Sequence, residues 1–419
     1  MIDGREGDDI RLYTTSLLRQ AFKEYYFKNT AMVEVPDAIQ EREFGYSRFD
    51  GTIVRHLSIK DRNELIALLI MNVPADVYCS AAYYMNPSRP MEDKDLKAAD
   101  LIFDIDVKEL KPRCSSKHDI SICVECSEPI EPSYTAMCNR CGSSKVNHVI
   151  IPCDECISLG KREVKKLADI LVGDLGVDED NIKVYFSGNY GFHVYVKGRY
   201  TMLDSAARLE VVNYILGRGL IDALRKRHGK KRKRERRDRS KSSISSKGNT
   251  HVSNKGKDRG NDLNSDGNSS DDDSSAYIPR SVFNGAYGWM GRIGRYLATK
   301  DAYVSIKSVE DAILALSAKV DPNVTIDMHR IFRLPGTLNS KSSLAKVPLK
   351  LSDIDSFNPL VDACLISDRE VYVYVIDAPR FTLKGNSFGP YIHEEVKLPL
   401  YAASYLICKG IAYVKQPSE

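Results

Sequence analysis

Two aspartates, Asp104 and Asp106, stand two residues apart in the apolar run LIFDIDV, residues 101–107. In a strand that spacing puts both side chains on one face, with Cα atoms roughly 6.5 to 7 Å apart. Carboxylates so placed can bridge divalent cations. Hard oxygen donors suit Mg²⁺ or Mn²⁺, and a pair of such ions about 3.5 to 4 Å apart serves phosphoryl transfer. A solvated strand end produces the same motif, but burying this run strands two charges unless cations compensate them. A second group is Ser187-Gly-Asn-Tyr-Gly-Phe-His193, a hydroxyl and an imidazole flanking a glycine turn. It can grip a phosphate, or be no more than a hairpin loop. A third begins at Asp321, passes Asp327, His329, Arg330 and Arg333, and ends in Leu-Pro-Gly-Thr-Leu-Asn339-Ser-Lys341. An acid ahead of a cation cluster fits a metal ligand beside a polyphosphate clamp, Arg giving two-pronged contacts and Lys a point charge. A surface ion-pair patch is the plainer alternative.

Seven of the ten cysteines lie between Cys114 and Cys156, a clustering that favours metal over disulfides. With His118 they make eight ligands: Cys114-x3-His118, Cys123-x2-Cys126, Cys138-x2-Cys141 and Cys153-x2-Cys156. Eight suffice for two tetrahedral zinc sites. The knuckles Cys123/Cys126 and Cys138/Cys141 pair as a ribbon, leaving Cys114, His118, Cys153 and Cys156 as a second site at its base. An interleaved pairing, or His148 in place of His118, satisfies the same count. Four protein ligands leave no open position, so the expected role is structural, with template contact as a secondary one. Cys79, Cys364 and Cys408 are dispersed and suit small buried hydrophobes.

These groups need elements to hold them. The run 101–107 reads as a buried strand, and IKVYFS-GNYG-FHVYV as a hairpin. Helices are expected over Ile10–Phe27, after a capping box at Asp61 and Glu64, over 161–172 with Val164, Leu167, Ala168 and Leu171 on one face, and over 204–224 from an Asp204 cap. Order resumes at Tyr277 with a small helical region. Beyond Leu338 strands and turns follow, notably REVYVYVID, closed by an apolar helix over Ala402–Ile411.

The chain of 419 residues, 42% hydrophobic, can bury a core spread over two or three units. No run approaches 18 apolar residues and the start MIDGREGDDI is charged, so a cytoplasmic protein without a membrane span is expected. The net charge of +4 conceals a segregation: residues 225–276 carry 16 Lys/Arg against 8 Asp/Glu, leaving the remainder at −4. That stretch cannot bury enough apolar surface to order itself and is expected to be a disordered loop. Its basic start fits DNA phosphates or a solvated linker about equally; an import signal has the same composition.

Taken together, FDID (Phe103–Asp106), FSGNYGFH (Phe186–His193) and DPNVTIDMHRIFRLPGTLNSK (Asp321–Lys341) resemble the catalytic small subunit of the archaeal and eukaryotic replicative DNA primases, in its archaeal form. Arg42-Glu-Phe-Gly45, with Arg55 beyond, is similar to the family's entry motif. The likeness runs in order from about residue 10 to the C-terminus and skips 225–276. A chain of archaeal type has no nucleus to enter, which sets the import signal in that stretch aside. It implies a mixed α/β fold, the archaeo-eukaryotic primase catalytic fold, with an inserted zinc-binding module and a small helical subdomain. The catalytic domain would comprise 1–113, 157–224 and 321–419, the zinc insert 114–156, the loop 225–276 and the helical region 277–320. The resemblance implies an enzyme that synthesises short RNA, possibly DNA, primers on single-stranded DNA by two-metal nucleotidyl transfer. Asp104, Asp106 and Asp321 would hold Mg²⁺ or Mn²⁺; Ser187, His193 and Arg333 would contact the incoming triphosphate, with Arg55 lining the same pocket. Two zinc sites and a large primase subunit as heterodimer partner complete the expectation. Tyr190 stands where the family usually has arginine, and Asn339 where it usually has histidine. A repair or mobile-element polymerase of the same superfamily is one alternative. Another is a catalytically impaired zinc-ribbon subunit, against which the retained aspartates, Ser187 and His193 argue.

Overall fold

The computed structural model describes residues 4–130, 137–227, 277–298 and 301–415. The expected disordered loop falls outside the described residues from 228 onward, as does the tip of the cysteine ribbon, 131–136. The chain divides into two compact units, Met1–Val212 with Ala318–Glu419, and Asn213–Ser317. The architecture is mixed helix and sheet.

Eight strands build the frame of the first unit: β1 (Phe44–Ser47), β2 (Ile53–Leu57), β3 (Asp76–Ser80), β4 (Leu101–Ile105), β5 (Ile182–Phe186), β6 (Phe192–Val196), β7 (Ile331–Arg333) and β8 (Val347–Leu349). They form two four-stranded sheets, ordered β7-β3-β1-β2 and β8-β5-β6-β4. Every pairing is antiparallel. The second sheet follows from the hairpin pattern: Phe192, Val194 and Val196 are buried on one face, while His193 and Tyr195 turn to the other. There the ring of His193 packs edge-on against Phe332 of the first sheet, with centroids 5.4 Å apart. The polar face of the hairpin is thus held against a neighbour.

Flanking helices bury the frame. The helix Gly4–Lys28 sets Ala21, Phe22, Tyr25 and Tyr26 inward. In the helix Arg62–Asn72 the Asp61 side chain accepts from the Glu64 N–H at 3.0 Å, as its capping pattern requires. The helix Asp154–Gly173 starts seven residues earlier than the apolar stripe alone suggests, because its first turn carries Cys156. Leu400–Cys408 is buried on nearly every side.

One helical expectation is corrected. Asp204 does cap a helix, its carboxylate accepting from the Ala207 N–H at 2.8 Å, but that helix spans Ser205–Ile215 and a turn interrupts it at 216–219 before helix resumes to 227. Gly217 takes φ +65°, and a Cβ there would stand 2.6 Å from Ile313 Cγ2. A left-handed residue ends an α-helix whatever the apolar spacing on either side of it.

The second unit packs Trp289, Ile293, Val309 and Ala312 of the helices Gly288–Leu297 and Ile306–Leu316 against Ile278 and Phe283. Its short strands Tyr277–Pro279 and Tyr303–Ser305 pair antiparallel. Arg225, expected to open the disordered loop, lies here in a helix and pairs with Glu310 at 3.2 Å.

Candidate active site

Asp104 and His193 are direct cross-strand partners on β4 and β6, so both side chains leave one face of the sheet together. The His193 Nε2 lies 3.5 Å from Asp104 Oδ1. Asp106 ends the strand and caps the turn after it, accepting from the Lys108 N–H at 2.8 Å. Asp321 arrives from more than 200 residues away in sequence, its backbone N–H donating to the Asp104 carbonyl at 3.0 Å, and it caps the short helix Pro322–Ile326. The Asp321 backbone therefore lies beside that of Asp104, and the charges of Asp106 and Asp321 both bear on the Asp104 carboxyl.

The hairpin turn reaches this point because of Gly191. A Cβ there would stand 2.7 Å from the Ile105 carbonyl oxygen, on the backbone of the Asp-bearing strand. Ser187 closes the turn, its Oγ accepting from the Gly191 N–H at 3.1 Å. Gly191→Ala is expected to push the turn off β4, costing about 1 to 3 kcal/mol of stability. Denaturant titration measures the first effect, and turnover should fall at least tenfold with it.

A cleft of about 440 Å³ is lined by Asp104 and Asp106 together with Arg330, Arg333, Asn339, Lys341, Ser187, Asn189 and Tyr190. The Arg333 guanidinium is oriented by Asp76 at 2.5 Å and by the Leu338 carbonyl at 2.8 Å. Burial raises the Asp76 carboxyl, but Arg333 and the Ser340 N–H outweigh it and hold the pKa below its ordinary value. Asn339 Oδ1 accepts from the Lys341 N–H at 2.8 Å, fixing the turn that carries that lysine.

Behind His193 sits Lys346, wholly buried. Its ammonium reaches His193 Nδ1 at 3.2 Å, Tyr195 Oη at 3.1 Å and the Arg333 carbonyl at 2.9 Å. Burial, then Arg333, bring its pKa down to about 7. His193 is pushed well below its ordinary value by burial first and then by Lys346, Arg333 and Arg330, so its imidazole is neutral. With Nδ1 accepting from Lys346, the ring proton is assigned to Nε2, on the Asp104 side. Neither Lys346 nor Asp76 was foreseen. One isolated Lys in Leu-Ala-Lys-Val and one Asp opening a strand carry no spacing signal.

Arg55 is not among the residues lining this cleft; its guanidinium is held by the buried Glu43 at 3.0 Å, a carboxylate that also takes Lys94 at 2.9 Å. The reason lies in the sheet order: β2 is one edge of its sheet and β7, bearing Arg333, is the other. Three strand spacings separate them, roughly 14 Å.

Asp104 is lifted from 3.8 to about 7 by burial first, then by the charges of Asp106 and Asp321. Neighbouring carboxylate charges of this kind are what a divalent cation neutralises. Because the folded pKa exceeds the unfolded one, the contribution is fully present below about pH 4 and is lost as pH rises through 7. This group alone should therefore cost the metal-free chain on the order of 2 to 4 kcal/mol between pH 4 and 8, with the lowered His193 and Lys346 acting in the opposite sense. Mn²⁺ should raise the melting temperature more at pH 8 than at pH 5, as a thermal-shift series at the two pH values would show.

The cysteines form two separate groups, Cys114, His118, Cys153 and Cys156, and Cys123, Cys126, Cys138 and Cys141, each with its ligand atoms within 4.8 Å of one another. The Cys114–Cys156 and Cys153–Cys156 sulfurs are 3.4 and 3.9 Å apart, and Cys156 Sγ lies 3.4 Å from His118 Nε2. In the ribbon, Cys123–Cys141 and Cys126–Cys138 are 3.5 and 3.6 Å apart. A tetrahedral zinc with sulfur ligands at about 2.3 Å spaces them by roughly 3.8 Å, so both sets can hold a metal. The His118 Nδ1 meets Asp119 at 2.8 Å, which aims Nε2 at the sulfurs. His148 instead contacts Ser121 Oγ at 2.7 Å.

Carboxylates, arginines and a lysine lining one cleft make the donor set of a metal-assisted phosphoryl-transfer enzyme. A family model described as the DNA primase small subunit matches residues 151–351. The DNA primase small subunit of Nitrosopumilus maritimus is 40% identical over 95% of this chain and 98% of its own length. That of Cenarchaeum symbiosum is 40% identical over 94% and 97%, and that of Picrophilus torridus 30% identical over 92% and 94%. The chain belongs to the DNA primase small-subunit family and is a primase nucleotidyltransferase. Among the described residues no helix is long and apolar enough to cross a membrane.

Proposed function

We propose that the cleft joins nucleotides on a single-stranded DNA template, starting RNA chains without a primer, with Asp104, Asp106 and Asp321 as ligands of Mg²⁺ or Mn²⁺. The observation that carries this reading is the bond from the Asp321 N–H to the Asp104 carbonyl, which brings the third aspartate's backbone beside the strand that bears the other two. Bound divalent cations supply charge neutralisation for the attacking and leaving oxygens. The chain's own groups do the rest. Ser187 and the neutral His193, through Nε2–H, donate to the triphosphate, and Arg333, held by Asp76, meets its oxygens two-pronged. Lys341 and Arg330 supply the cationic wall, and Lys341 takes over charge that Asn339 lacks. The 3′-hydroxyl oxygen of one nucleotide bonds to the α-phosphorus of the next, the bond to the β-phosphate breaks, pyrophosphate leaves and the hydroxyl proton passes to water. Most of the acceleration comes from positioning and charge.

Both cysteine groups are assigned to structural zinc, since each set supplies four ligands. A large primase subunit as partner and a cytoplasmic location rest on the archaeal family. The test supplies the chain and its large subunit with an unprimed template, labelled nucleotides and Mg²⁺ or Mn²⁺. Labelled oligomers are expected; none under either ion would overturn the reading.

A further inference from the structure

The turn that carries Asn189 and Tyr190 into the cleft is held by a residue 220 positions further along the chain. Lys409 follows the buried helix Leu400–Cys408, and its N–H bonds the Tyr405 carbonyl at 3.0 Å, so it continues the last turn of that helix. Its ammonium donates to Asn189 Oδ1 at 2.9 Å. The same nitrogen lies 5.6 Å from the centre of the Tyr190 ring and 5.3 Å from that of Tyr405. Both are distances of a cation to an aromatic face. An amide oxygen and two rings carry no net charge, so these contacts hold the ammonium without neutralising it. Burial brings its pKa down to about 7; Cys408 and Asp119 pull the other way, and Lys341, which lines the cleft, adds to the fall. Tyr190 packs in turn against Val107, Cys114 and Cys156.

We propose that Lys409 is a positioning residue for nucleotide binding: it fixes Asn189 and Tyr190 as one wall of the cleft and sets behind them a positive charge that the triphosphate neutralises. The proposal rests on the function given above, which places a triphosphate in this cleft. A cation held by neutral groups alone is costly to bury, and an anion arriving nearby offsets that cost. Lys409 is not among the residues lining the cleft, so it acts through the two side chains it holds and through its field. Charges are screened less through protein than through water. The effect falls on affinity, because a field of this kind favours the bound triphosphate and the transition state alike.

Titration of the full, metal-loaded chain with MgATP, without template, tests the role directly. Lys409→Met removes donor and charge, Lys409→Gln keeps a donor for Asn189 without the charge, and Lys409→Arg keeps both. MgATP affinity is expected to fall about tenfold in the two uncharged variants and to stay within about threefold of native in Lys409→Arg. The melting temperature should hold or rise in the uncharged variants, since each removes a buried cation. Should Lys409→Met melt lower, Lys409→Gln decides alone. Native affinity in Lys409→Gln, or an affinity in Lys409→Arg as weak as in Lys409→Met, overturns the proposal. On an unprimed template with the large subunit present, KM for ATP should rise by the same factor in Lys409→Gln, with kcat within about threefold. A fall in kcat at unchanged KM overturns the assignment. A native chain that binds no MgATP overturns the triphosphate clamp itself, and this role with it; a native chain that binds it no better than either uncharged variant overturns this role alone.

Discussion

Asp106→Asn removes labelled product by a factor of about a thousand or more while raising the melting temperature of the metal-free chain. The two effects have one cause. Asp106 is the first charge, after burial, among the influences that lift the Asp104 carboxyl to about 7, so its loss relieves repulsion in the resting protein. Asparagine keeps the oxygen that accepts from the Lys108 N–H, so the turn after β4 survives. The relief amounts to about 1 kcal/mol, or roughly 2 to 4 °C for a unit of this size. Activity moves the other way, because the repulsion is what draws divalent cations to the strand end. A thousandfold loss corresponds to about 4 kcal/mol of barrier. Asp321→Asn should behave alike, its Oδ1 still capping Pro322–Ile326. Thermal melting in EDTA beside primer synthesis in Mn²⁺ separates this outcome from simple unfolding: a variant both inactive and less stable would contradict the placement of its charge.

Cys156→Ser and Cys126→Ser are each expected to reduce bound metal from two ions per chain to one, with unequal consequences. Cys156 and Cys114 are buried in a cluster with Val107, against which Tyr190 packs, one residue from Asp106. Losing that metal loosens the wall of the catalytic cleft. Structural zinc contributes on the order of 10 kcal/mol to the folding of a small module, so a fall in melting temperature of roughly 10 °C or more, with most of the activity gone, is the expected result. Cys126 belongs to the ribbon, whose own small core is Cys123, Ile130 and Cys138 with Val146. Its loss should leave the melting temperature within about 3 °C and activity within about threefold. Elemental analysis with calorimetry decides both; equal effects would mean that the two groups share one cooperative fold.

The positions where expectation and structure part show which forces are local. The Asp104/Asp106 spacing, the hairpin around Gly191 and the Asp61 cap depend on residues within about one turn or strand of each other, and all were legible in the sequence. The cysteine pairs were legible too, because a metal demands four ligands and the knuckle spacing limits which can meet. The expected helix over 204–224 failed at Gly217, since an apolar stripe records burial but not the backbone angle of one residue.

Arg55, Lys346 and Asp76 belong to another class. Arg55 carries the same charge in any fold. Only the order β7-β3-β1-β2 places it at the far edge from Arg333 and beside Glu43. Lys346, just ahead of β8, meets His193 because β8 pairs with β5, the neighbour of the strand β6 that bears His193. Asp76 becomes the anchor of Arg333 because β3 and β7 are neighbours. The sequence by itself determined the ligands, the local elements that carry them and the family to which they belong. The tertiary structure alone decided which cations face the carboxylates, because strand adjacency is set by burial of the sheets as a whole, and a charge has no influence over its partner until that burial has brought them together.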